Sequence, residues 1–492
     1  MIAVDKKNYV VAIDIGSSEV VVAVGSMVEG GVLDIETIVA ESCDGMVAGL
    51  VDNSQMVTDS LRRAKEKAEQ QAGIAITDAY VTISGKFVRC ARYTDHVFVE
   101  NADNCISQRD VNALSERMRN VKSADGEVIM EHYPINYKGT SGSEMKTPVG
   151  SYSPQLSSTY NFILCDHQAK DRLLRVFMGA GIKIRNLYAG AAVIGESVVN
   201  SDEKEEGVAV VDIGGGITDV AVYYGGVLRY IASIPMGGSV VNADIRAYAG
   251  TIPAKMVETL KRRYGSAVMS STPDELIQVK SGSRPIKPIQ RLNLAAVIEA
   301  RMSDIAEYVW SEIKESGYAK NLAAGIVLTG GGAALDHIAD LFQTITKQEV
   351  RVACAEMGVA TESLEKVASP NLTLAVSLLL RGAKVGACPV GVLQSPAPTK
   401  PESKPEPEQV KAEQAEQPVQ PITPAKEEPE QQKTVAEAIA EKKNASDDWD
   451  EVVEDDDDDV APKRRGWFGR FKDMMNNAFR PEEDMDGSDD EY

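Results

Sequence analysis

Two short stretches of this chain gather a carboxylate, glycines and hydroxyls at the end of an apolar run. Val10 to Val22 carries Asp14, Gly16, Ser17 and Ser18; Val210 to Val222 carries Asp212, Gly214, Gly215, Gly216 and Thr218. Glycines in a tight turn leave backbone N–H groups free to point inward, and such a concavity binds phosphate oxygens. The hydroxyls of Ser17, Ser18 and Thr218 add donors. Asp14 and Asp212 suit the hydrated Mg²⁺ that accompanies a triphosphate, because that ion keeps several waters and takes few direct carboxylates. A third cluster, Gly330, Gly331 and Gly332, follows the apolar run Ala324 to Thr329 and lets the backbone approach a flat ligand, as an adenine-ribose end requires. Neither a P-loop nor a dinucleotide fingerprint is present.

Each Asp-containing turn sits between β-branched apolar runs, the pattern of a hairpin. One such turn alone is an ordinary hairpin. The second copy lies about 200 residues on, near half the length of the patterned body, and a duplicated domain explains that spacing. Helices are expected at Val57 to Gln71, Gln168 to Met178, Ala189 to Val199, Leu292 to Ser316 and Leu372 to Leu380. Alternating strands and helices put the body in the α/β class.

The patterned body gives way near Pro389 to a stretch rich in Pro, Glu, Gln, Lys and Ala, Pro396 to Glu430, which cannot offset its ordering entropy by burial and reads as a disordered linker. An acidic block, Asp447 to Asp459, precedes a basic aromatic tip. From Trp467 the apolar residues fall at Trp467, Phe468, Phe471, Met474, Met475, Ala478 and Phe479, a continuous helical stripe, with Lys463, Arg464 and Arg465 just before it. Too short to span and basic at one end, it fits a helix lying in the plane of an anionic membrane. A helix docking on a partner is the alternative. The closing acids, Glu482 to Glu491, oppose that attraction.

The chain has 492 residues and a formal net charge of −22, which argues against a duplex nucleic-acid binder. About 15 of those excess negative charges lie after residue 390, so the body is only mildly acidic. Six scattered cysteines without a C-x-x-C pair give no metal ribbon and no disulfide framework, the pattern of a reducing, cytoplasmic setting. No signal peptide is expected at Met1 to Val10, and no run of 18 apolar residues spans a membrane.

Asp14 to Ser18, Asp212 to Asp219 and Leu328 to Gly332 resemble the phosphate-1, phosphate-2 and adenosine motifs of the actin, Hsp70 and sugar-kinase superfamily. With Pro235 to Gly238, Glu258 to Gly265, Val297 to Arg301 and the amphipathic tip, the chain is similar to the FtsA family of bacterial division proteins. The resemblance implies an actin-like ATPase fold of two lobes around a nucleotide cleft. Lobe 1 (1A) would be 1–83 and 161–206, with an inserted subdomain 1C at 84–160. Lobe 2 (2A) would be 207–239 and 323–390, with subdomain 2B at 240–322. A linker at 391–461, a membrane-targeting helix at 462–480 and an acidic tail at 481–492 would follow. It implies ATP and Mg²⁺ as ligands, with Asp14 and Asp212 around the ion through water. Gly16, Ser17, Ser18, Gly214, Gly215, Gly216 and Thr218 would cradle phosphates beside Gly237 and Gly238. Glu258 and Lys261 would reach ribose and adenine opposite Gly330, Gly331 and Gly332. It further implies self-assembly, recruitment of later division proteins through 1C, and capture of the FtsZ C-terminal peptide by 2B, with Arg301 as the contact. The tip would hold the protein peripherally on the cytoplasmic face of the membrane at the septum, through Arg464, Arg465, Trp467, Phe468, Phe471, Met474, Met475 and Phe479.

One departure concerns hydrolysis. Asn186 to Ala192, the stretch where related ATPases hold an acid, has none. Phosphoryl transfer needs a group to orient the nucleophile, so ATP binding with slow hydrolysis is expected and no residue is assigned a catalytic role. The alternatives are a sugar or acetate kinase and a pilus-assembly actin homologue. Both share the clamp and neither needs the tip.

Overall fold

The computed structural model describes residues 8–392, apart from 29, 251, 279, 282–283 and 286–287. Residues 391–392 of the expected linker belong to the strand Val390–Val392, which pairs with Ile74–Ile76; the rest of the linker, the tip and the acidic tail lie outside the described residues. Two five-stranded sheets with matching connectivity form the body. The first is built from β1 (Tyr9–Ile15), β2 (Glu19–Met27), β3 (Leu33–Ser42), β4 (Asp78–Ile83) and β5 (Lys183–Ala189), in the spatial order β5-β4-β1-β2-β3. The second is built from β6 (Val208–Ile213), β7 (Thr218–Tyr224), β8 (Val227–Ile234), β9 (Ile326–Thr329) and β10 (Val350–Val352), in the order β8-β7-β6-β9-β10. In each, a three-stranded antiparallel meander is extended by two parallel strands on the side of its first strand. The duplication expected from the paired turns is therefore a duplication of topology.

Near-continuous apolar runs in β1 and β6 follow from burial on both faces of their sheets. The helix Thr373–Val385 packs on β1 and β2 with Leu374 to Leu380 all buried. Each such leucine contributes roughly 1.5–3 kcal/mol of burial. The helix Ser54–Ala72 begins where the Asn53 side chain accepts from the Gln55 and Met56 amides, and stops at Gly73 in the left-handed region. Four expected helices are present, as His167–Gly179, Arg291–Glu315, Thr373–Val385 and Ser54–Ala72. The fifth, Ala189 to Val199, is reduced to one turn, Gly190–Val193, and a 3₁₀ turn, Ile194–Glu196. There a Cβ on Gly190 would meet the Ser84 hydroxyl and Leu374, and one on Gly195 the Tyr223 ring, so glycine at both positions lets the segment pack closely.

Between β4 and β5 the chain forms a separate four-stranded sheet with strands Val88–Phe98, Glu127–Lys138, Glu144–Met145 and Gln155–Asp166, covered by the helix Gln108–Arg119. Leu114, Met118, Leu156 and Phe162 make its own small core. One face of this insertion meets the second sheet: Arg229 Nη1 of β8 donates to the Ile135 carbonyl at 2.6 Å, and Arg92 Nη2 to the Arg229 carbonyl at 3.3 Å.

Candidate functional site

The two Asp-containing hairpins close in the same way. Gly16 N–H donates to the Glu19 carbonyl, and Gly214 N–H to the Ile217 carbonyl, each at 2.9 Å. The fold then brings the turns against each other. A Cβ built on Gly215 would strike the Ser18 side chain, and one on Gly216 would lie 2.8 Å from the Ser17 Cβ and 3.3 Å from the Ala48 amide. Only glycine fits there, because the serines of the first lobe occupy the space a second-lobe side chain would need.

Further contacts gather the remaining expected residues. Gly238 N–H donates to the Gly214 carbonyl at 2.9 Å, which places Gly237 and Gly238 on the back of the second turn. Lys261 Nζ reaches the Gly238 carbonyl at 3.1 Å and pairs with Glu258 at 2.8 Å. Burial alone would raise the Glu258 carboxyl; Lys261 and the Asn242 amide hold it below the usual carboxylate range. The third glycine cluster lies against the same turn. Gly330 has φ 83° and ψ 167°, and a Cβ there would meet Asp212 Oδ1 and come within 2.7 Å of the Ile213 carbonyl.

Asp14 and Asp212 lie at the ends of β1 and β6, and Asp212 senses the charge of Asp14. Burial pushes the Asp14 carboxyl up from 3.8 to about 6; the Thr82 hydroxyl, donating at 2.5 Å, opposes this, and the Asp219 charge adds to it. Asp212 is raised well above the usual range by burial and then by the charges of Asp219 and Asp14. Asp219 is raised by burial, against the Ser233 and Ser84 hydroxyls. Three carboxylates that cannot comfortably ionise together are the electrostatic counterpart of a cation. Among the described residues no three His, Cys, Asp or Glu side chains converge closely enough to hold a metal directly. The residues present therefore suit an ion that keeps its own water, beside the apposed glycine turns.

Three expectations change here. Thr218 is fully buried and its hydroxyl donates to the Met236 carbonyl at 2.9 Å, so it braces the turn and has no proton left for a phosphate. Arg301 is not a free fork: its Nε and Nη2 hold Asp244 at 2.6 and 3.3 Å, and its Nη1 holds Asp304 at 3.1 Å. The stretch Asn186 to Ala192 does have an acid beside it, because a Cβ on Gly190 would lie 3.4 Å from Asp219 Oδ2. Asp219 is the residue that sequence reasoning passed over. It closes the second motif, and its pairing opposite Asp212 in the β6–β7 hairpin was the signal for it.

Paired sheets of one topology, with apposed glycine turns and a carboxylate cluster between them, define a two-lobed actin-like protein of the nucleotide-binding type. The solved PilM-PilN type IV pilus biogenesis complex has this fold: it superposes with a TM-score of 0.52 at 14% identity, over 76% of this chain and 98% of that one. The family model of the cell division protein FtsA matches residues 209–377. Cell division protein FtsA of Escherichia coli (strain K12) is 32% identical over 391 residues, 78% of this chain and 92% of that protein. That of Pseudomonas aeruginosa is 30% identical over 385 residues, 78% of this chain and 91% of that protein. The chain belongs to the FtsA family of cell division proteins. Among the described residues no helix is long and apolar enough to cross a membrane.

Proposed function

We propose that this protein binds Mg·ATP between its lobes, assembles with copies of itself, and ties FtsZ filaments to the cytoplasmic face of the membrane at the division site. The observation that carries the nucleotide part is the apposition of Ser17 and Ser18 with Gly215 and Gly216, beside Asp14, Asp212 and Asp219. Gly16, Ser17, Ser18, Gly214, Gly215 and Gly216 would hold phosphates, with Asp14 and Asp212 acting on the ion through its water. Gly237, Gly238, Glu258 and Lys261 would frame the nucleoside end with Gly330, Gly331 and Gly332. The ion would supply charge neutralisation to the phosphates; the protein's part is to orient them and to join the lobes. Nucleotide would thus favour a closed, assembling shape, a shift of population between conformations.

The domain division proposed is that of the sequence reading, with lobe 1 at 1–83 and 161–206, lobe 2 at 207–239 and 323–390, and insertions at 84–160 and 240–322. The second insertion would take the FtsZ peptide, and a contact at Arg301 would require the peptide's carboxylate to replace Asp244. The first insertion would meet later division proteins. The segment Trp467 to Phe479 would anchor the assembly on anionic lipid. Family membership supports this reading over a small-molecule kinase. The test is electron microscopy and co-sedimentation on anionic liposomes with Mg·ATP. Intact protein should form lipid-bound filaments, deletion of Trp467 to Phe479 should release it from lipid, and Asp212→Ala should lose nucleotide binding and assembly together. Filaments and lipid binding indifferent to both changes would overturn the proposal.

A further inference from the structure

Beside the free edge of the first sheet lies a cavity of about 570 Å³, where β5, the insertion strand Glu127–Lys138 and the helix Thr373–Val385 meet. It is separate from the turns that form the nucleotide cleft. Four cations line it: Lys170, Arg185, Arg381 and Lys384. Two of these are neutralised. Arg381 bridges Glu131 and Glu196, each at 3.1 Å, and Lys384 pairs with Glu196 at 2.6 Å. Lys170 and Arg185 have no carboxylate partner among the described residues. Arg185 sits at an irregularity in the β5–β4 pairing, with its guanidinium 6.0 Å from the centre of the Tyr80 ring. Two carboxylates against four cations leave two positive charges facing one cavity, in a chain whose formal net charge is −22.

That imbalance defines a ligand. Like charges turned into one space repel, and a single dianion relieves both. A phosphate monoester carries about −1.5 to −2 at neutral pH and three acceptor oxygens, enough for a lysine and an arginine fork at once. Leu187, Tyr188 and Val385 are also among the lining residues and offer an apolar surface to an organic group. The volume falls in the range of small-molecule sites, roughly 300–1,000 Å³. We infer that this cavity binds a soluble phosphate monoester with an apolar or aromatic body, at a second site outside the nucleotide cleft.

Phenyl phosphate is the probe, titrated calorimetrically into the full-length protein already saturated with Mg·ATP. Saturable binding at one site is expected, with benzoate at least tenfold weaker. Lys170→Ala and Arg185→Gln should each weaken it by roughly tenfold while thermal midpoint and Mg·ATP affinity stay at wild-type values. Because the two residues lie on different elements and neither is in an ion pair, loss of fold is separable from loss of binding by the midpoint. Three results would each overturn the inference: no saturation up to about 10 mM, binding that both variants leave unchanged, or benzoate binding as well as phenyl phosphate.

Discussion

Two adjacent glycines, Gly330 and Gly331, should differ sharply in the stability each loses on substitution by alanine. Gly330 has φ 83° and ψ 167°, a region open to glycine alone, so an alanine in its place carries roughly 1–3 kcal/mol of backbone strain. The added Cβ would also lie 2.7 and 2.8 Å from the carbonyl oxygen and amide nitrogen of Ile213, backbone atoms that cannot swing aside. Relieving that contact means parting β6 from β9 where Asp212 faces Thr329, an overpacking cost of roughly another 1–3 kcal/mol. Gly330→Ala should therefore lose about 4 kcal/mol in chemical denaturation. At Gly331 the new Cβ meets only the Asn371 Cβ, at 3.7 Å, an ordinary contact. Gly331→Ala should stay within about 0.5 kcal/mol of wild type. If the cluster lies against the nucleoside, it should still weaken Mg·ATP binding by calorimetry. Equal stability of the two variants would refute the claim that backbone approach to Asp212 dictates this turn. Wild-type affinity in a stable Gly331→Ala protein would remove the nucleoside from this loop.

The nucleotide-free protein should carry a pH signature of Asp14. Its folded pKa is raised, so its favourable contribution is complete below about 3.8 and is lost as pH rises through about 6. The difference is worth at most roughly 3 kcal/mol, because the carboxyl is only half-buried at the cleft. Denaturation of wild type and Asp14→Asn between pH 4 and 7 should show the variant gaining on wild type as pH rises; parallel profiles would contradict the buried cluster. Leu378→Ala, in the fully buried middle of the helix Thr373–Val385, should cost roughly 2–5 kcal/mol in urea denaturation, and a cost under about 1 kcal/mol would mean that this helix is not central to the first core.

What the sequence alone determined is the local chemistry. The apolar runs into Asp14 and Asp212, the glycines after them, and the third glycine cluster each declare a turn within a dozen residues, where side-chain type dictates backbone geometry. The repeat of that turn half a body later was enough to imply two lobes. Where a partner comes from far along the chain, sequence pattern had no purchase. Thr82 reaches Asp14 from a parallel strand 68 positions away, and Asp219 stands beside Gly190 from the other lobe. Arg301, expected from the resemblance to be a peptide contact, is bound by Asp244 on a neighbouring helix, 57 positions distant. The Ala189 to Val199 stretch reads as one helix by pattern and folds as two short turns, with Gly190 and Gly195 set close to Leu374 and Tyr223. Strand pairing and close packing are non-local: they set which groups lose water together, and so which carboxylates are raised, which hydroxyls are already engaged and which cations are left facing a cavity unpaired.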